Sequence, residues 1–217
     1  MKQQVVLLHG LGRSCASLAR LQAGLEEMGL AAHCWSYPSR RRRLAGHIEA
    51  FRAWLEEQKF EEPVHFVGHS LGGIIIRGAL AHDPPVAVGR IVMIATPNQG
   101  AGVVSRFGGW PFSRTIFGLP LQDLGENSTA LKNLGVPEAE IGIIAGLRHF
   151  HPLNLISYVN LVHRAGHAHD GTVELANTRL DGAADSIAID AHHTFICDHD
   201  EVITQTGAFL RHGRFER

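Results

Sequence analysis

No long apolar run interrupts this 217-residue sequence. Nothing in it approaches the ~20 consecutive apolar residues of a membrane-spanning helix, so no transmembrane segment is expected. Cysteine is scarce. Cys15, Cys34 and Cys197 form an odd set with no Cys-x-x-Cys pair, which excludes a disulfide framework and argues against a zinc or redox cysteine motif. All three read as small, buried or half-buried thiols. Charge of either sign lacks an excess: 20 Lys+Arg stand against 21 Asp+Glu, a formal net charge of -1. No global field therefore draws the chain to nucleic acid. The opening MKQQVVLLHG falls short of the ~7–15-residue apolar core of a signal peptide, so a cytoplasmic location is the expectation. Repeats, low-complexity tracts and an inter-domain linker are also missing. The length suits one α/β domain spanning residues 1–217.

What is present is a rhythm. Short β-branched-rich runs occur at Val5–His9, Ala31–Trp35, Val64–Gly68, Ile91–Ala95, Ile141–Ala145 and Ile187–Ile189. Most are apolar at successive positions rather than alternating, as a parallel sheet covered on both faces requires. Helical spacing fills the gaps. Leu18, Leu21 and Leu25 share one face; Leu44, Ile48, Phe51 and Leu55 share another; Leu71 to Ala81 is small and apolar; Val202 to Leu210 suits a final helix. Strands alternating with helices predict a doubly wound, mostly parallel sheet of about six strands. Pro97 to Pro137 breaks the rhythm. It is rich in Gly, Pro, Phe and Trp and reads as a small cap over a pocket.

The sharpest motif is Gly68-His69-Ser70-Leu71-Gly72, a G-x-S-x-G pattern. The pentapeptide alone is a weak signal. Its context is specific: Val64-His65-Phe66-Val67 precedes it as a strand, and Leu71-Gly72-Gly73-Ile74-Ile75-Ile76 follows as a helix. A nucleophile elbow needs strand, sharp turn and helix in that order, with small residues where strand and helix cross. The helix start also brings a positive dipole end to the site.

A serine hydroxyl is a poor nucleophile at neutral pH. It needs a histidine to take its proton and a carboxylate to hold that histidine's tautomer. Downstream of Ser70 lie many carboxylates and ten histidines, so order alone decides little. Asp170 stands in the turn His169-Asp170-Gly171-Thr172-Val173, with Asp190 and Asp185 as alternatives. His193 follows the last strand and precedes the last helix, and His192 is its immediate rival. Upstream, Val5 to Leu8 runs into His9-Gly10-Leu11-Gly12, a strand ending in a glycine-flanked turn. His9, at a strand end before the nucleophile, suits a structural role better than that of the base.

These segments together resemble the α/β-hydrolase superfamily, in particular its small lipase and esterase-like members. The resemblance rests on residues 64–73, Leu8-His9-Gly10-Leu11-Gly12, Asp170-Gly171-Thr172-Val173 and His193-Thr194-Phe195, and it spans nearly the whole chain. It implies an α/β-hydrolase fold without the first two strands of larger members, with residues 97–137 as the cap or insert. It favours Asp170 as the acid and His193 as the base. It also implies that the oxyanion donors are the backbone N–H groups of Leu11 and Leu71. The expected activity is hydrolysis of a carboxylic ester through an acyl-Ser70 intermediate, without cofactor, on a small-molecule ester or lipid-like substrate. A thioesterase, amidase or acyltransferase would share the same residues, and a non-catalytic binding protein on this fold is the alternative of a different class.

Three further features stand apart from that expectation. His149-x-His151 and His167-x-His169 carry ligand-type chemistry, but the i, i+2 spacing suits a metal only on a strand and these read as loops, so no metal is expected. Arg40 to Arg43 is a basic run before a helical face, either a solvated helix start or an anion patch. Trp110, Phe112, Phe117 and Leu119 line an acyl pocket or form the cap's own core.

Overall fold

The computed structural model describes residues 2–102, 118–126, 128–149 and 168–217. Its strands are β1 (Gln4–Leu8), β2 (Ala31–Trp35), β3 (Val64–His69), β4 (Val88–Ile94), β5 (Ile141–Gly146) and β6 (Asp185–Ile189). They form one all-parallel sheet in the order β2-β1-β3-β4-β5-β6. The strand order reverses at β1, whose neighbours are β2 on one side and β3 on the other. The crevice outside the carboxyl ends at such a switch point is where open α/β sheets bind ligands.

The side-chain period of two divides the core between the two faces of the sheet. Val6, Leu8, Phe66, Ile91 and Met93 meet the helix residues Leu44, Phe51, Leu55 and Ile74 on one face. Val5, Leu7, Val67, Val92 and Ile94 meet Leu21, Leu25, Val202 and Phe209 on the other. The helices supplying these residues are α1 (Ala19–Glu27), α2 (Leu44–Gln58), α3 (Leu71–Leu80) and α4 (Asp200–His212). Central strands β3 and β5 are buried along their whole length, while the edge strand β6 alternates between half-buried and exposed positions. Three strands start earlier than their apolar runs: β1 at Gln4, β4 at Val88, which pairs with Val64 before a register shift, and β6 at Asp185, where Asp185 and Ser186 pair with β5.

The thiol reading fails at two of the three cysteines. Cys15 and Cys34 form a disulfide with their Cα atoms 5.9 Å apart. Cys34 pairs in register with Leu7 of β1. Cys15 opens the helical turn that follows β1. The β1-α1-β2 crossover therefore returns Cys34 beside the start of that turn. Only three-dimensional pairing makes the two neighbours, and their separation of 19 residues carries no local signal. Cys197 is a buried free thiol, and burial pushes its pKa well up.

Two polar anchors fix the parts of the chain that surround the crevice. Arg77 of α3 is buried, and its guanidinium donates to the carbonyls of Gly135, Asn98 and Leu131 at 2.7, 3.0 and 3.3 Å. Asp123 accepts from the Leu44 N–H at 3.0 Å, capping α2, and pairs with Arg43 at 2.5 Å. The basic run is thus split: Arg43 is ion-paired at the helix start, and Arg40, Arg41 and Arg42 are exposed. Within the 97–137 stretch, the Ala101 N–H donates to the Leu124 carbonyl at 2.9 Å and the Leu119 N–H to the Arg40 carbonyl at 3.0 Å. Trp110, Phe112 and Phe117 lie outside the described residues.

Candidate active site

Ser70 sits between β3 and α3 with φ 53° and ψ -117°, a left-handed conformation rare for a side-chain-bearing residue. The turn is tight enough to demand glycine on both sides. A Cβ on Gly68 would lie 2.4 Å from the Gly73 nitrogen, and one on Gly72 would lie 2.3 Å from the Leu8 carbonyl oxygen. Neither contact is possible without moving backbone. The sequence pattern is therefore a steric requirement of strand β1, strand β3 and helix α3 meeting at one point.

The serine hydroxyl lies at the end of a hydrogen-bonded series. His193 Nε2 is 3.2 Å from Ser70 Oγ, and His193 Nδ1 is 2.7 Å from Asp170 Oδ2. The other oxygen of Asp170, Oδ1, accepts from the N–H groups of Thr172 and Val173 at 3.0 and 2.7 Å. With both carboxylate oxygens engaged, Nδ1 carries the proton that donates to Asp170. Nε2 is left as the acceptor for the serine hydroxyl. The two loops also bond through backbone, with the His193 N–H donating to the Asp170 carbonyl at 2.9 Å. Asp170 is 1% exposed and His193 8%, so the pair works in a medium of low dielectric.

The rivals point elsewhere. His192 Nδ1 accepts from the Thr194 N–H at 3.2 Å, and its ring packs against Gly171. Asp190 is ion-paired with Arg148 at 2.7 Å, and that hydrogen bond holds its carboxyl below the usual carboxylate range. Asp185 bonds the Phe215 N–H at 2.8 Å and pairs with Arg217. His9 is fully buried, stacks on Tyr37 with ring centroids 4.3 Å apart, donates from Nδ1 to the Gly10 carbonyl at 2.9 Å, and has its pKa lowered by burial. Its role is to shape the turn after β1.

One backbone amide of that turn and one at the start of α3 are unengaged. Neither the Leu11 nor the Leu71 N–H donates to an acceptor among the described residues, while the intervening Gly12 N–H donates to Ser39 Oγ at 2.9 Å. Both leucines line the same cavity as Ser70 and His193, about 180 Å³ in volume, with Pro97, Ala101, Leu124 and Val173 as its apolar walls. Of the four aromatic or aliphatic cap candidates, only Leu119 falls among the described residues, and it is not one of the lining residues. A larger, more open hollow of about 660 Å³ runs along the β6 edge, but no histidine among the described residues lines it.

His69 is a contributor the sequence reading passed over. Its ring is buried, and Nε2 donates to the His193 carbonyl at 3.1 Å, so the residue before the serine holds the histidine loop from beneath. Burial, then the neighbouring His193 and Arg13, keep its pKa well below the ordinary value, and the ring stays neutral. As the variable position of the pentapeptide it carries no motif signal. The histidine pairs with ligand-type chemistry are only partly described: His151 and His167 lie outside the described residues, and the His149 and His169 rings are 5.2 Å apart. Among the described residues no group of three His, Cys, Asp or Glu side chains converges.

Comparison with known proteins agrees with this architecture. The model of a family described as the alpha/beta hydrolase family matches residues 5–215. No curated protein matches in sequence. Among solved structures, the chain is similar to a mature Bacillus licheniformis lipase, with TM-score 0.81, 19% identity, and coverage of 97% of this chain and 91% of that one. It is also similar to a metagenomic carboxyl esterase, with TM-score 0.66, 19% identity, and coverage of 88% and 64%. A third similar structure is a thioesterase of prodiginine biosynthesis from Streptomyces coelicolor, with TM-score 0.58, 13% identity, and coverage of 97% and 84%.

Proposed function

On the premise that this chain belongs to the alpha/beta hydrolase family, we propose that it hydrolyses carboxylic esters with Ser70 as the nucleophile. The observation that carries the reading is His193, bonded on one ring nitrogen to Asp170 and on the other to Ser70. Ser70 Oγ attacks the ester carbonyl as its proton passes to His193 Nε2. Asp170 stabilises the imidazolium that forms. The carbonyl oxygen becomes an oxyanion, and the free N–H groups of Leu11 and Leu71 receive it. His193 then protonates the leaving alkoxide. Water, activated by the same histidine, cleaves the acyl-serine to release the carboxylic acid and restore the hydroxyl. None of these steps calls for a cofactor. The cavity of about 180 Å³ favours a short acyl group, since drug-sized ligands occupy roughly 300–1,000 Å³.

Thioester or amide substrates would pass through the same intermediate, and a thioesterase is among the structures of similar fold. Hydrolysis of matched p-nitrophenyl esters, thioesters and anilides orders these preferences. Ser70→Ala is expected to lose turnover by about a million-fold, as other triads do. Ester hydrolysis that survives in Ser70→Ala overturns the assignment. A protein that does not react with a fluorophosphonate probe is a binding module on this fold instead. Cellular location is a separate matter. The Cys15–Cys34 cross-link favours an oxidising compartment over the cytoplasm suggested by the sequence. No described helix is long and apolar enough to cross a membrane.

A further inference from the structure

The walls of the Ser70 cavity are mostly apolar, and one lining residue carries a permanent charge: Arg13. It follows Gly12 in the turn after β1 and is half-buried. One terminal nitrogen donates to the Thr194 carbonyl, next to His193. A guanidinium carries five N–H donors, so most of its capacity is unused. No described carboxylate pairs with it. Residues 103–117 and 150–167 contain no Asp or Glu to do so either.

Arg40 adds a second charge at the same turn. A Cβ on Gly12 would meet its Nη2 at 3.1 Å and its Nε at 3.2 Å, so the guanidinium lies against the Gly12 backbone. The Arg40 carbonyl accepts the Leu119 N–H at 3.0 Å, which fixes its backbone. It too has no carboxylate partner among the described residues. Arg43 differs, being neutralised by Asp123. The sequence shows the same bias over longer stretches. Residues 84–122 and 141–169, which extend through and beyond β4 and β5, contain no Asp or Glu, yet the whole chain is nearly neutral.

We propose that Arg13, with Arg40 packed against the adjacent Gly12, forms an anion subsite at the edge of the Ser70 cavity, and that the substrate is an ester bearing a phosphate or carboxylate close to the scissile bond. The inference rests on the serine hydrolase reading above. A guanidinium without a counter-ion at the edge of a partly desolvated cavity gains charge-assisted, bidentate hydrogen bonds from an oxyanion, roughly twice as strong as neutral ones. Anchoring the Thr194 carbonyl accounts for one of the five donors and does not require a charge. The anion is bound and not consumed; acyl transfer to Ser70 and hydrolysis proceed as described.

The test uses the full chain and two matched pairs of water-soluble esters. One pair is 1-butyrylglycerol and its 3-phosphate; the other is p-nitrophenyl butyrate and the p-nitrophenyl monoester of succinate. The readout is the ratio of kcat/KM for the anionic member over the neutral one, in the parent, Arg13→Gln and Arg40→Gln. The parent is expected to favour the anionic member of at least one pair, and which pair does so separates phosphate from carboxylate. Arg13→Gln should lower that ratio roughly 10-fold or more, the size of a charged hydrogen bond. Arg40→Gln should lower it less, and Arg13→Lys should restore part of it. The preference should also weaken as salt rises. As a measurement independent of turnover, phosphate or succinate should slow fluorophosphonate labelling of Ser70 in the parent more than in Arg13→Gln. Equal or lower rates on both anionic esters, or a ratio unmoved in Arg13→Gln, overturn the subsite and leave the hydrolase reading standing. No turnover of any ester together with no labelling of Ser70 overturns both.

Discussion

Replacing Asp170 with Asn tests the site at its least exposed point. In the parent, Oδ1 accepts two backbone N–H groups, from Thr172 and Val173, and Oδ2 accepts the His193 Nδ1–H. Asparagine has only one oxygen. Turned toward Thr172 and Val173, that oxygen keeps both backbone bonds, and the NH2 then faces Nδ1. Turned toward His193, it sets the NH2 against two N–H donors in a buried turn, a clash of like dipoles that costs more than the single bond it keeps. The first orientation therefore wins. It forces His193 to accept at Nδ1 and carry its proton on Nε2, the tautomer that cannot take a proton from Ser70. Where a buried triad acid has been made an amide, the wrong tautomer costs about 10,000-fold in kcat, or about 5 kcal/mol of barrier. Stability should suffer less. The three charge-assisted bonds become neutral ones, a loss of about 2–3 kcal/mol that lowers Tm by roughly 4–12 °C in a chain of this size. Steady-state hydrolysis of p-nitrophenyl acetate at 25 °C, with thermal denaturation alongside, measures both. A folded Asp170→Asn protein within 10-fold of the parent kcat would refute the tautomer reasoning and the role assigned to Asp170.

Other outcomes follow from particular contacts. Arg77→Met leaves the carbonyls of Gly135, Asn98 and Leu131 without their donor, and a loss of about 2–4 kcal/mol is expected in urea unfolding. A protein as stable as the parent would show that water replaces the guanidinium without cost. Thiol titration of the unfolded, unreduced chain should find Cys197 alone, and reduction should expose Cys15 and Cys34 as well. By chain entropy the lost cross-link costs about 3 kcal/mol. Acid should weaken the fold early. His9, His47, His65 and His69 all have pKa values lowered from 6.5, with burial the largest cause. The unfolded chain therefore binds protons that the native one refuses. Stability is complete above about pH 6.5 and falls as pH drops toward the depressed native values, by up to about 1.4 kcal/mol per pH unit for each histidine. A Tm constant between pH 8 and pH 5 would contradict those four shifts.

The sheet could be read from sequence because its central strands are apolar at successive positions, and few other structures bury both faces of a five-residue run. The edges were harder. Asp185-Ser186 pairs in β6 because an edge strand needs only one apolar face, so its polar start resembles a loop. The elbow was legible because Gly68 and Gly72 answer a collision that any such turn must avoid. Asp170 and His193 stand out in the sequence through resemblance, and it is the His193 ring rather than that of His192 that faces Ser70 Oγ, a direction two adjacent letters do not encode. The remaining omissions share one cause. The Cys15–Cys34 bond, the Asp123 cap on α2, the Arg77 anchor and the His69 prop each join residues far apart in the chain. Periodicity and local motifs describe neighbours in sequence, whereas these pairs are neighbours only after the sheet has formed.

The bond between the Ala101 N–H and the Leu124 carbonyl brings two points of the chain 23 positions apart into contact. Leu119 and Asp123 tie the returning side to Arg40 and to the start of α2. Exit and re-entry are thus clamped to the scaffold independently of the residues that run between 102 and 118. Loop-closure cost grows only slowly with length, so a stretch joined at a closed neck tolerates exchange, shortening or extension with little effect on the sheet. Such a division gives evolution separate control over two properties. Ser70 and His193 follow strands whose packing resists change, while residues 103–117 can vary without disturbing them. Chimaeras that exchange residues 103–117 between similar chains should therefore keep the parent's folding transition.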